Sequence, residues 1–592
     1  MLFHSLYRSS SRFFCISRIV CSNTSRSIVA AMTHRESIRP VVTSDLCSQD
    51  FDSVVLVVED VSDASSFTPL FETLQEASQV NQKFSSDVHT LTCRSLPSKR
   101  LVVSFTGHLD QDIDDARRIT EASTKGISQA IKVGSKRPLL LLGPLKTAKK
   151  LEHSWLEPSV SCLASLLGAF HALYVPLEVR EFDRPEGSTC TKPIQSQKAE
   201  VLGWFSGTHY AVDHEKLTGL AWCLEEGLRV ARDIGGSDPE RMSAKNIVTY
   251  LQKELTEPVQ MTDCPVDRGL YPLAAIVDRG NNERHRGHVV HLEYDGSTQS
   301  QIDPQQIVNL FLVGKGVTYD TGGSDLKVGG IMATMHRDKC GAAAVAGFFK
   351  ILNLLKPKNL KVHGTLGLVR NSIGENAYVS DEIVTSRAGV RVRVNNTDAE
   401  GRMVMTDLLC EAKEKALKVS NPRLLTIATL TGHVGLCYGL GYTGIVCNGP
   451  AKELGEDYDY QFAGSLLGEM HEISTLRRED YDAHKTDEEY SDLLNSARLI
   501  GGKRSRGHQS PVAFMIIASG LDSVRPIYYL KQLVFLISFN SVIRKRCDVT
   551  EKNVEEFLCY EFIHLCIGHS TLRLTTLLTT KKFFYITLPF RD

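Results

Sequence analysis

Asn396-Thr397-Asp398-Ala399-Glu400-Gly401-Arg402 places two carboxylates and a guanidinium at positions i, i+2 and i+4. An extended backbone sends alternate side chains to one face, so this spacing predicts a polar claw of Asp398, Glu400 and Arg402, with Ala399 and Gly401 turned away. Grouped carboxylates in a water-poor site repel one another unless a cation joins them, and a divalent metal is the usual partner for hard oxygen ligands. A second run adds to the set: Lys315-Gly316-Val317-Thr318-Tyr319-Asp320, then Lys327 and Asp338. Any one of these acids, read alone, is a solvated surface charge. Asp338 is also explained as an acid at a helix start, where the dipole favours it. Four carboxylates (Asp320, Asp338, Asp398, Glu400) can together neutralise two divalent ions, and a metal pair can bind and deprotonate a bridging water near neutral pH. Lys315 can ligate only as a neutral amine, so adjacent metal charge must depress its pKa. Lys327 and Arg402 stay cationic and can stabilise a developing oxyanion.

Together the two runs resemble the signatures of the leucine aminopeptidase (cytosol aminopeptidase) family of two-metal exopeptidases. The likeness lies in the spacing from Lys315 through Asp320 and Lys327 to Asp338, and in the heptapeptide at 396–402. It implies one metal held by Asp320, Asp398 and Glu400 and another held by Lys315, Asp320, Asp338 and Glu400, with Zn or Mn expected and Mg or Co as further candidates. Lys327 would polarise the scissile carbonyl, and Arg402 would anchor a bicarbonate that shuttles the proton. Met335, Asn396, Thr429, Leu430 and Gly432 match positions that line the first side-chain pocket or grip the substrate backbone, although core packing explains Met335 and Leu430 equally well. His433 stands where the family has a small residue and narrows that pocket. The implied activity is release of an N-terminal residue, leucine-like preferred, from peptides with a free N-terminus through a metal-bridged hydroxide. The implied assembly is a cytoplasmic homohexamer, with no membrane or nucleic-acid partner. The alternative is a catalytically impaired member that serves as a scaffold or nucleic-acid-binding regulator. A dimetal phosphoesterase would want histidine among its ligands, and neither run supplies one at ligand spacing.

Elements that position these residues can be read around them. The chain predicts a smaller N-terminal α/β domain over residues 36–205 and a catalytic domain over 206–523 built on a mainly parallel, helix-flanked sheet. In the first part, Val54–Val58, Leu101–Phe105 and Leu139–Leu142 read as buried strands, and Phe67–Val80 and Asp112–Val133 as helices. Residues 184–198 are polar and turn-rich and read as a loop. In the second part, Leu217–Asp233 has helical periodicity and stops at Gly235-Gly236, and a helix runs from Ser237 to Leu255 with Asp238 or Ser243 as its cap. Val308–Gly314 is an apolar strand that delivers Lys315 at its carboxyl end. Small residues Gly341-Ala342-Ala343-Ala344 open a helix able to lie close to the sheet. Val362–Val369, Val390–Val394 and Leu424–Leu430 are further strands, and Val404–Leu417 is a helix.

With 592 residues and a formal net charge of −1, the chain exceeds one ordinary core and carries no overall charge that argues for nucleic acid or membrane. No run approaches the roughly 20 apolar residues of a membrane-spanning helix. The 15 cysteines show no Cys-x-x-Cys pair, which points to reduced thiols used in packing. Residues 1–35 carry Arg8, Arg12, Arg18, Arg26 and Arg35 with no acid before Glu36, a composition that suits either a mitochondrial transit peptide or a disordered leader. After Ser523 the family's closing segment has no counterpart. Residues 524–592 read as an atypical tail, and the sheet is expected to lose a strand and part of the pocket wall.

Overall fold

Continuous apolar runs fold here into strands buried on both faces. A computed structural model of the chain describes residues 37–146, 156–182, 196–208, 210–299, 307–497, 505–524 and 531–536. Ser53–Val58 and Pro138–Leu142 lie wholly buried at the middle of a six-stranded sheet. Its order is Val41–Thr43, Gly203–Phe205, Pro138–Leu142, Ser53–Val58, Arg100–Phe105 and His89–Thr92, and all pairs but the last are parallel. Helices Thr68–Val80 and Arg117–Lys132 fall where periodicity places them. The second begins later than expected because Asp114 and Asp115 accept from the Gln111 and Arg117 amides and form its entry turn instead.

The larger sheet holds eight strands: β1 (Gln260–Pro265), β2 (His288–Asp295), β3 (Val308–Asp320), β4 (Leu360–Asn371), β5 (Pro422–Ala428), β6 (Thr443–Cys447), β7 (His471–Thr475) and β8 (Lys531–Leu536). Their order is β7-β6-β8-β5-β3-β4-β2-β1, with β3 flanked in parallel by β4 and β5. Four helices matter for the site: α1 (His214–Gly236), α2 (Cys340–Leu355), α3 (Glu400–Ala416) and α4 (Ser510–Ala518). The buried small residues of α2 let it pack in one core with Leu310 and Leu312 of β3 and Leu425 of β5. Helix α1 belongs to both cores. Its Leu217, Leu224 and Leu228 pack under the smaller sheet, while Val230 and Ile234 pack under the larger. A third, small sheet of Ile383–Thr385, Arg391–Arg393 and Leu493–Leu494 leads the chain into residue 396.

Several expectations are corrected. Strand β3 does not end at Gly314: β4 pairs with it in parallel register from Val308 to Val317, so Lys315 lies inside the strand and Asp320 at its end. Residues 400–402 are not extended. Glu400 and Arg402 occupy the first turn of α3, which begins at Glu400 because the apolar stripe of Met403, Val404 and Leu408 is buried against the sheet. The helix expected from Ser237 starts at Ala244, with Ser243 at its N-terminal boundary, because Asp238 closes an earlier turn onto the Glu240 and Arg241 amides. Nor does the sheet lose a strand: β8 sits between β5, to which it is parallel, and β6, to which it is antiparallel. Its Val534 and Leu536 are fully buried in the core that includes Leu424 and Val446. Residues 1–36, 183–195 and 537–592, on which the leader, most of the polar loop and the rest of the tail fall, lie outside the described residues. Among the described residues no helix is long and apolar enough to cross a membrane.

The position of β8 is testable. A carboxylate at the buried Val534 position would sit in the apolar core that holds Leu424 and Val446, so Val534→Asp is expected to cost about 4 kcal/mol or more. Its urea unfolding midpoint should drop sharply against the parent protein. An unchanged midpoint would place residues 531–536 outside the core.

Candidate metal centre

Lys315 enters the interior from the middle of β3 and is only 3% exposed. Its Nζ lies 2.7 Å from Asp338 Oδ1, 3.0 Å from Glu400 Oε1 and 2.9 Å from the Thr429 carbonyl oxygen. These three partners come from separate places. Asp338 stands in the short 3-10 turn Met335–Lys339 that leads into α2, Glu400 opens α3, and Thr429 follows β5. Asp338 Oδ1 also accepts from the Thr429 hydroxyl at 2.7 Å. Asp320 Oδ1 accepts from the Gly322 amide at 2.8 Å and the Asn371 side chain at 2.9 Å, while its Oδ2 faces Lys327 Nζ at 2.9 Å. Lys327 also pairs with Asp398, and Arg402 donates to the Asn495 carbonyl at 3.0 Å.

The heptapeptide is held by residues that sequence reasoning missed. Thr397 donates its amide to Asp325 Oδ2 at 2.7 Å, and its hydroxyl accepts from the Asp325 amide at 2.8 Å, tying the two signature runs together. Tyr378 donates to the Thr397 carbonyl at 2.6 Å. Asn495 Oδ1 accepts from the Asn395 and Asn396 amides, and its Nδ2 donates to the Asn396 carbonyl. Asp325 lies within the first run and is a visible candidate. Lone asparagines and a tyrosine elsewhere in the chain carry no local signal.

Charge decides the chemistry. Burial by itself would lower the Lys315 pKa, but the Asp338, Glu400 and Asp320 carboxylates outweigh it, and the amine ends above its ordinary value. Lys327 follows the same logic, burial being overcome by Asp320, Glu400 and Asp398. Burial drives the Asp338 carboxyl well up, Glu400 and Asp320 push it further, and Lys315 opposes. Asp398 is raised in the same way, by burial first and then by Asp320 and Glu400, against Lys327. The protein's own charges therefore hold Lys315 as an ammonium. A neutral, ligating amine there requires an added cation.

Two oxygens test whether such a cation fits. Among the described residues, Asp338 Oδ2 and Glu400 Oε2 are buried with no hydrogen-bond partner, which is costly unless something cationic takes them. One carboxylate oxygen each from Asp320, Asp338 and Glu400 lies within 4.8 Å of the others, a set of hard donors that suits a divalent ion. Asp398 joins through Lys327, which touches both it and Asp320. Backbone access is equally specific. A Cβ on Gly401 would lie 2.2 Å from Lys315 Cε and 2.6 Å from its Nζ, so any larger residue there would push the amine out of its place.

The group opens into a cleft of about 500 Å³. Every residue singled out by sequence lines it: Lys315, Asp320, Lys327, Met335 and Asp338 from the first run, Asn396, Asp398, Glu400 and Arg402 from the second, and Thr429, Leu430 and Gly432 beyond β5. Met335 is buried and Leu430 packs partly into the core, so both also serve as scaffold. His433 and Leu436 continue the wall.

Comparison with known proteins gives consistent findings. Residues 229–520 match the catalytic domain of the cytosol aminopeptidase family. The chain is 40% identical over 433 residues to the putative aminopeptidase W07G4.4 of Caenorhabditis elegans, covering 72% of this chain and 77% of that protein. Its fold is similar to leucyl aminopeptidase from Trypanosoma cruzi, with a TM-score of 0.67 at 19% identity over 90% of this chain and 98% of that one. It is also similar to the bottromycin maturation enzyme BotP in complex with Mn, with a TM-score of 0.61 at 17% identity over 87% and 99% of the two chains.

Two outcomes follow from the geometry. Gly401→Ala drives a methyl group into the Lys315 amine and should weaken Mn2+ binding by about 10–100-fold in calorimetric titration, the range seen when residues supporting ligands are disturbed. Unchanged affinity would mean that Lys315 is not part of the site. In the parent protein, ligation must strip the Lys315 proton, so affinity should rise with pH, and titrations in buffers of different ionisation enthalpy should show net proton release. Binding without proton release would contradict a ligating Lys315.

Proposed function

The chain belongs to the cytosol aminopeptidase family of metal-dependent aminopeptidases, and on that premise we propose that it releases the N-terminal residue, leucine-like preferred, from peptides that enter the cleft. The observation that carries this reading is the convergence of Lys315, Asp320, Asp338, Asp398 and Glu400 from three parts of the chain on one group, with two buried carboxylate oxygens that have no hydrogen-bond partner among the described residues. In this reading Asp320, Asp398 and Glu400 would hold one divalent ion, and Lys315, Asp320, Asp338 and Glu400 would hold a second. A bound pair supplies an activated water near neutral pH and polarises the peptide carbonyl. Zn or Mn suits the donors, and the Mn in a protein of similar fold supports the choice.

The remaining work falls to the chain's own side chains. Lys327, kept cationic by Asp320 and Asp398, is placed to donate to the carbonyl oxygen as negative charge develops on it. Arg402, steadied by the Asn495 carbonyl, offers a planar fork suited to a bicarbonate that relays the proton. Asn396 and Thr429 grip the substrate backbone, while Met335, Leu430 and Gly432 receive the first side chain. A substrate α-amine, neutral and so able to act as a donor, would bind one of the ions, which favours cleavage one residue at a time from a free N-terminus. Assembly as a homohexamer in the cytoplasm completes the reading and rests on the family resemblance.

Glu400→Ala, which removes a ligand shared by both ions, should take release of leucine from a leucyl-amide reporter down to background. Lys327→Ala should lower kcat by about 10²–10³-fold, the usual cost of losing one oxyanion donor. An N-acetylated leucyl reporter should not be turned over. Survival of activity in the Glu400 variant would refute the site, and equal turnover of the acetylated reporter would refute the exopeptidase reading.

A further inference from the structure

We propose that His433, Cys437 and His508 form a second, separate metal site in the wall of the cleft, with two imidazole nitrogens and one sulfur as donors for a thiophilic transition-metal ion such as Zn2+. His433 opens the short helix His433–Tyr438, and Cys437 lies one turn later on the same face. His508 arrives from the turn that precedes α4. One ligand atom from each of the three lies within 4.8 Å of the others. His433 Nδ1 is 2.8 Å from His508 Nδ1, and Cys437 Sγ is 3.4 Å from His433 Nδ1. Ligands held at the usual Zn–N and Zn–S bond lengths in a tetrahedron stand about 3.3–3.6 Å apart. The sulfur is therefore already at ligand spacing from His433 and within 4.8 Å of His508, and the two imidazoles need part by only about half an ångström with a turn of the His433 ring.

The surroundings orient the donors as a metal requires. In the tautomer protonated at Nε2, His508 donates to Ser474 Oγ at 2.9 Å and aims its Nδ1 lone pair at His433, the form that a metal ligand requires. Gln509 Nε2 donates to the same Ser474 oxygen at 3.0 Å and fixes it. His508 is buried, whereas Cys437 is exposed and gives an ion a path in. A Cβ on Gly507 would lie 2.9 Å from His433 Cγ, so the missing side chain makes room for the ring. Burial keeps both imidazoles neutral near pH 7, lowering His433 and taking His508 to about 4 with help from His433 and Arg506 against Asp480. A hydrogen bond from one imidazole to the other accounts for the histidine pair but assigns no role to the sulfur beside it.

The two sites sort metals by donor type. The carboxylate group is made of hard oxygens, whereas this one offers two nitrogens and a thiolate, which favour Zn2+, Co2+ or Cu+ over Mg2+ or Mn2+. On binding, the Cys437 thiol passes its proton to solvent, and His433 shifts its proton to Nε2. The ion would tie the His433–Tyr438 helix to the turn before α4, and both elements line the cleft.

The test uses the full chain loaded with Mn2+ and then titrated with Co2+, and it reads absorption rather than turnover, so it stands apart from the peptidase reading. The parent protein should gain one sulfur-to-cobalt charge-transfer band per chain, which added Zn2+ removes. Cys437→Ser should lose the band, and Glu400→Gln should keep it. Cys437 is exposed, so its serine variant should fold, and circular dichroism checks this. No band in the parent, or a band of equal strength in the Cys437 variant, overturns the proposal.

Discussion

Three buried carboxylates and a fourth at the cleft's edge, packed around two lysine amines, form the constraint on which the catalytic half of this molecule depends. Asp320, Asp338, Asp398 and Glu400 face Lys315 and Lys327, so four acids crowd two amines, and the crowding raises the Asp338 and Asp398 carboxyls by burial first and by the neighbouring acids next. An arrangement of this kind is expensive to desolvate, and pairing with a lysine repays only part of the cost. It persists because each acid arrives on an element fixed by apolar packing elsewhere: β3 in a central sheet position, the turn that leads into α2, and the start of α3. The Asp338 and Glu400 oxygens that have no hydrogen-bond partner among the described residues suit a divalent cation, and a Lys315 amine that bound it would first have to give up its proton.

Around this centre the supporting groups do more than fill space. Thr397 and Asp325 exchange hydrogen bonds and lock the two signature runs in register. Asn371 holds Asp320 from β4 and also donates to the Thr397 carbonyl at 3.1 Å, so one amide senses both runs. Asn495 anchors the backbone of Asn396 and receives Arg402. Loss of any of these would move ligands without removing them, which is why the chemistry belongs to the fold and not to five residues alone.

The ligand types were legible in the sequence because they cluster in two short runs, where spacing alone groups lysine with acids. The conformation of the second run was not. Ala399 offers no capping oxygen and Gly401 is a poor helix former, so local signals argued against a helix that tertiary burial of Met403, Val404 and Leu408 imposes. Gly314 and Gly316 similarly suggested a strand end, because the partner that carries β3 onward, β4, lies some way down the chain. Strand β8 was obscured by its surroundings, although the Leu533–Leu536 run suits a buried strand once β5 and β6 offer it edges. The meeting of His433 with His508 had no local trace, since 75 residues separate them.

The central claim is that two divalent ions share this group and that the Lys315 amine binds one of them. Anomalous scattering from crystals grown with Mn2+ tests it most directly. Two peaks are predicted, both in contact with Asp320 and Glu400, one within bonding distance of Lys315 Nζ and Asp338 and the other beside Asp398. A single peak, or a pair that leaves Lys315 paired only with carboxylates, would contradict the account.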